Sequence, residues 1–198
     1  MKIAFSNLAC PEWSMEQVIQ NAVEFGYDGV ELRLVDGEVI RSDMDSAAQK
    51  RIVALAKDNG IEIIGIGAST RFATPDAEER DRNVTELLAY IELAAKMEIP
   101  MVRTFGGGVR GTSEMKQGDD IQFVAESLNK VASRGAELGI QVLLETHDEF
   151  SSSHLVRAVL QSVPSKAIGA LWDTHHPYRM NETVDETYEN RVGSGTFI

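Results

Sequence analysis

Cysteine is nearly absent from the chain: Cys10 is the only one in 198 residues. No intrachain disulfide can form, and the composition predicts a reducing, cytoplasmic home. Basic residues are also scarce, 19 against 31 acidic ones, for a formal net charge of −12 and a pI near 4.8. A phosphate backbone demands a basic face, so a nucleic-acid partner is not expected. No apolar run is long enough to span a bilayer, and no secretory signal stands before the first apolar segment, so no membrane partner is expected. Low-complexity and linker-like stretches are missing before the last few residues. No GxGxxG follows the first apolar segment, which removes the main support for a dinucleotide-binding sheet.

What is present is a repeat. A short apolar strand, a polar loop and an amphipathic helix recur six times along the sequence. Strands are predicted over 2–9, 28–35, 61–69, 101–108, 140–147 and 166–176. The first helix has Ser14 as its cap, Gln17 in the capping-box position and an apolar stripe of Met15, Val18, Ile19, Ala22 and Val23; Gly26 closes it. A second helix is predicted over 45–59. Thr74-Pro75 is expected to open a long third helix with Val84, Leu87, Leu88, Ile91 and Ala95 buried. Further helices are expected over 119–138, 152–162 and 183–191. Serial β/α units predict one domain over residues 1–198, with a parallel sheet and helices packed outside it.

The polar residues favour a barrel over an open sheet. Glu31, Arg33, Arg103, Glu145, His147 and Asp173 all fall in or at the C-terminal half of predicted strands, the rim where barrels build their sites. Side chains alternate along a strand. In GVELR, Glu31 and Arg33 share the face opposite Val30 and Leu32; in VLLETH, Leu143, Glu145 and His147 share the face opposite Val142, Leu144 and Thr146. The apolar faces would pack under helices and the charged faces would point into the barrel mouth. Gly106-Gly107-Gly108 reads as a glycine-permitted turn, and Trp13 and Phe72 sit in loops where they could wall a pocket.

GYDGVELR (26–33), LLETH (143–147) and WDTHHPYR (172–179), in this order and each at a strand end, resemble the sugar isomerase/epimerase superfamily of xylose isomerase-like TIM barrels. The resemblance implies an α/β barrel of which about six β/α units are legible, the last two being unmatched. It implies a divalent metal (Mn, Mg, Co or Zn), with Glu145 and Asp173 matching two of the four family ligands. It also implies Glu145 as an acid/base that moves a proton beside a sugar carbonyl through an enediolate. His176, three residues after Asp173, would contact substrate or metal-bound water. Glu31, Arg33, Arg103 and His147 are candidates for anchoring substrate oxygens. His175 is adjacent and could exchange roles with His176. The competing reading is a non-catalytic shortened barrel that binds a small polar ligand or only self-associates. Unclosed strand edges predict a homo-oligomer in either case. A DNA-repair role like that of the family's endonuclease branch is disfavoured, since four histidines are too few and the charge has the wrong sign.

Overall fold

The structure, a computed structural model, describes residues 2–107 and 117–191. Six parallel strands form one sheet in the order of the sequence: β1 (Ala4–Ser6), β2 (Gly29–Leu32), β3 (Glu62–Gly67), β4 (Met101–Phe105), β5 (Gln141–Glu145) and β6 (Ile168–Leu171). The helices are α1 (Met15–Glu24), α2 (Ser46–Asp58), α3 (Ala77–Lys96), α4 (Gln117–Leu138), α5 (Ser153–Gln161), α6 (His175–Arg179) and α7 (Val184–Arg191). Sequential order with parallel pairing is the outcome of repeated right-handed β/α crossovers. Residues from every strand line a single cavity of about 540 Å³, so the sheet curves around it as a barrel wall does.

Alternation along the strands divides the two faces. Val142 and Leu144 on β5 and Val102 on β4 are fully buried in the core shared with Val18 and Ile19 of α1, Ile52 of α2, Leu87 and Ile91 of α3, Val124 and Leu128 of α4, and Val159 of α5. Met101, Arg103 and Phe105 of β4, with Leu143 and Glu145 of β5, face the cavity instead. The α1 cap forms as expected: the Gln17 amide donates to Ser14 Oγ at 3.3 Å, and the Ser14 amide donates to Gln17 Oε1 at 2.9 Å.

Several local expectations are corrected. Val23 is exposed at 48%, because it lies at the edge of the α1 stripe beyond the reach of the sheet. The α3 cap is Asp76 rather than Thr74; its Oδ1 accepts from the Glu78 and Glu79 amides at 2.9 and 3.2 Å. The predicted strand over 28–35 stops at Leu32 and is followed by a hairpin, Leu34–Val35 with Glu38–Val39. Asp36 and Gly37 both take positive φ at its tip, as an Asp-Gly hairpin turn requires. The sixth strand ends at Leu171, and His175 and His176 lie on α6 instead. Phe72 is fully buried in the core rather than walling a pocket, and Trp13 packs against that core. Gly108 and the tail 192–198 lie outside the described residues.

The division of faces has a measurable consequence. Leu144→Ala empties a site packed on all sides and is expected to cost about 2–5 kcal/mol in urea unfolding. Leu143→Ala is expected to cost less, since that side chain already borders the cavity.

Candidate active site

The site begins with Arg103, a guanidinium only 9% exposed on the cavity face of β4. Its Nη1 donates to the Ala68 carbonyl at 2.6 Å, and its guanidinium carbon lies 4.2 Å from the Phe105 ring centroid. Its Nε is 3.0 Å from Glu145 Oε2 and 3.9 Å from Glu31 Oε1. The Nε–H is not aimed at either oxygen, so the contact is an ion pair and that nitrogen makes no hydrogen bond. Gly67 makes the arrangement fit. A Cβ there would stand 2.9 Å from Arg103 Nη2 and 3.1 Å from Glu31 Oε1.

Burial outweighs pairing for both partners. It pushes the Glu145 carboxyl up to about 7 against the pull of Arg103, and Glu31, Asp173 and Asp148 push the same way. Burial also lowers Arg103, opposed by Glu31 and Glu145. A guanidinium stays charged at any physiological pH, so Arg103 remains the cation and Glu145 is the group that exchanges a proton near neutrality.

A second layer stands on the rim. His147, whose ring lies 4.6 Å from that of Phe105, packs in a tilted contact against His176 with centroids 4.4 Å apart. His147 Nδ1 is 3.0 Å from Asp148 Oδ1, again without hydrogen-bond geometry. His176 Nδ1 lies 3.3 Å from Ser151 Oγ, and its Nε2 is 3.8 Å from Asp173 Oδ2. Burial, then the neighbouring His147, lower the His176 imidazole, while Asp173 opposes them. The Asp173 backbone is pinned by Thr146, whose Oγ1 accepts from the Asp173 amide at 2.9 Å and donates to its carbonyl at 3.2 Å.

Of the residues singled out in the sequence, Glu31, Arg103, Glu145 and His147 line the cavity. Asp173 and His176 stand beside them on the rim. Arg33 is turned to the end of β3, donating to the Gly67 carbonyl at 2.8 Å and Ser69 Oγ at 2.6 Å, and is not among the cavity-lining residues. Gly106 and Gly107 admit Phe150 and Glu149, whose atoms lie 2.6 and 2.4 Å from where a Cβ would be. Sequence reasoning passed over Phe105, Thr146 and Ser151. Phe105 was within reach, since it shares the parity of Arg103; the roles of the two hydroxyls depend on the loop path and left no periodic trace.

For a divalent metal the donor set is incomplete. Among the described residues no three His, Cys, Asp or Glu side chains converge as ligands. Asp173 Oδ1 already accepts from the His175 amide at 2.8 Å, and Glu145 is held by Arg103. Among the described residues the donors for a metal therefore amount to a pair of carboxylates.

The electrostatics give a pH signature. Between 4.5 and about 7 the unfolded Glu145 carboxyl is ionised while the folded one keeps its proton. Stability from this group is thus present at low pH, falls as pH rises through that window and levels off above it. In chelator-containing buffer, the urea-unfolding difference between Glu145→Gln and wild type is expected to move in the variant's favour from pH 5 to pH 8, by up to about 3 kcal/mol.

Solved structures share this fold. D-psicose 3-epimerase matches with a TM-score of 0.82 at 18% identity, over 100% of this chain and 72% of its own. The 3-keto-D-glucoside 4-epimerase YcjR from E. coli gives 0.80 at 15%, over 100% and 77%. The IolI protein with a bound zinc atom gives 0.77 at 14%, over 94% and 67%. At these identities the likeness is one of fold. No curated protein sequence matches. Among the described residues no helix is long and apolar enough to cross a membrane. The model of one family matches residues 19–197, and the chain belongs to that family, the xylose isomerase-like TIM barrels.

Proposed function

We propose that the chain acts as a sugar isomerase or epimerase in which Glu145 moves a proton on the carbon beside a carbonyl. The observation that carries this reading is the placement of Glu145: a buried carboxyl facing the cavity, 3.0 Å from a fixed guanidinium. Family membership and the two epimerases among the structural neighbours support it. Ionised Glu145 takes the proton; the C–H electron pair forms the double bond of an enediolate and the carbonyl oxygen gains the negative charge. Arg103, the cation beside the carboxylate, favours that charge. Delivery of a proton to the same carbon from the opposite face, by an acid other than Glu145, gives an epimer, and return of the Glu145 proton to the neighbouring carbon gives an isomer. Glu31, His147 and His176 contact the sugar hydroxyls; Arg33 holds the β3 end against the rim.

A divalent cation (Mn, Mg, Co or Zn), where bound, would supply Lewis-acid polarisation of the carbonyl. Glu145 and Asp173 are the donors this chain would bring to it, with His176 beside them. The deciding experiment incubates wild type and Glu145→Gln with a panel of ketohexoses in D₂O, with and without Mn²⁺, and follows loss of the C–H signal by NMR. Wild type is expected to exchange that proton, and Glu145→Gln to do so at least about 100-fold more slowly. Equal rates would overturn the assignment. No exchange by wild type with any sugar would favour the reading of a small-ligand-binding barrel.

The reading includes self-association. Among the described residues β1 and β6 each have a single strand neighbour. Apolar side chains are exposed next to β1 in the chain, Ile3 and Leu8 at 51% and 54%, and in the segment that follows β6, Tyr178, Met180 and Val184 at 74%, 54% and 65%. A second copy would cover them. Light scattering at micromolar concentration is expected to give a dimer or larger; a monodisperse monomer counts against it.

A further inference from the structure

Outside the residues that line the cavity lies a carboxylate that the proton-transfer reading does not use. Glu182 is only 9% exposed. Its Oε1 accepts from Ser152 Oγ at 2.5 Å and from the Ser153 amide at 3.0 Å; its Oε2 accepts from Ser153 Oγ and from Thr187 Oγ1 at 3.2 Å. Ser152, the residue before α5, makes no side-chain cap of its own. Glu182 caps α5 in its place, from thirty residues along the chain, with its charge at the positive end of the helix.

The placement of this cap ties it to the rim. Residues 173–182 form an arch from the end of β6 back to α5. Thr146 pins one foot, by the two hydrogen bonds to the Asp173 backbone. Glu182 is the other foot, brought round by Asn181 in the left-handed region at φ 64°. Between them α6 carries His176, whose imidazole rests on Ser151 Oγ at 3.3 Å. The three consecutive serines thus hold both the histidine and the far foot. Ser151 in turn donates to the Asp148 carbonyl at 2.7 Å, so the run is anchored to the loop that follows β5.

We infer that Glu182, acting through the serine run Ser151–Ser153, is a positioning residue that sets where the His176 imidazole stands over the cavity rim. Releasing Glu182 frees one foot of the arch while Thr146 still holds the other. The arch can then swing about Asp173, which moves His176 off both Ser151 and His147. The catalytic meaning of that motion rests on the proton-transfer reading, but the position of the ring can be read without any turnover.

The test uses the full chain and the side-chain NMR signals of its histidines, assigned with His176→Gln. In Glu182→Gln, an amide would turn N–H donors toward the Ser153 amide, which cannot accept. The His176 ring signal is expected to shift toward its position in Ser151→Ala. Amide exchange across 175–181 should quicken by at least about tenfold, and that across β4 should not. If wild type exchanges sugar protons, Glu182→Gln should lower kcat about ten- to hundredfold with little change in KM. A folded Glu182→Gln protein whose His176 signal does not move overturns the inference, as does exchange that quickens evenly through the chain. Should Glu182→Gln fail to fold, Glu182→Asp, which keeps the charge but shortens its reach, and Thr187→Val, which removes one donor, carry the same expectation. A wild type inactive on every sugar would overturn the proposed function and leave this measurement standing.

Discussion

A guanidinium buried in the interior of a chain with net charge −12 organises this structure. Desolvating Arg103 is costly unless carboxylates and carbonyls surround it. The sheet supplies them from both sides. Glu145 comes from the adjacent strand β5. Glu31 comes from β2, across β3, and reaches over because Gly67, in register with Arg103, leaves the space between them: a Cβ there would stand 2.9 Å from Arg103 Nη2 and 3.1 Å from Glu31 Oε1. The last glycine of EIIGIG is thus explained by a contact between the two neighbouring strands, and Gly65 makes room for the Met101 side chain, 2.9 Å from where its Cβ would be. A register shift between Val30 and Glu31 brings Glu31 opposite Gly65.

The charges do not balance, and the imbalance is chemically useful. Two carboxylates, Glu31 and Glu145, share one fixed cation, and Asp148 and Asp173 add to the negative field at Glu145. The surplus adds to burial, the larger cause, in keeping a proton on Glu145 to about pH 7, and the proton relieves it. It would also be relieved by a metal ion. Both occupants answer the same field, so the electrostatics that help keep a proton on Glu145 would equally draw a cation to the rim. The number and direction of donor groups separate the two cases, and among the described residues the donors amount to a pair.

Much of this was legible in the residues. Period-two alternation in GVELR and VLLETH placed Glu31 and Glu145 on the inner face, and the β/α repeat gave six parallel strands in chain order. The same parity misled at Arg33, because the strand ends at Leu32 and a hairpin begins at Leu34. Once the chain leaves the ladder, alternation no longer fixes direction, and Arg33 is aimed by the carbonyl of Gly67. At Thr74-Pro75 the cap signal was genuine but competed with a better one two residues on, where Asp76 satisfies two amides at once. The sixth strand was overextended, since hydrophobic periodicity cannot see that Asp173 turns back to accept from the His175 amide.

The rim therefore has supports of two physical kinds. Arg103 and Glu145 stand on paired strands, where ladder hydrogen bonds on both sides and a packed outer face leave the backbone little freedom. Asp173 and His176 stand on a loop and a five-residue helix, too short to hold itself by propensity. Their positions are set by side-chain hydrogen bonds from Thr146, Ser151 and Glu182. Such bonds are individually worth about 1–3 kcal/mol, the carboxylate's being the stronger, and strand pairing is cooperative over the sheet. Sequence change should thus move the imidazole more readily than the carboxylate. Within a barrel that keeps its strand-borne acid and guanidinium, the arch is the part whose adjustment can alter which group of a bound molecule is met at the rim.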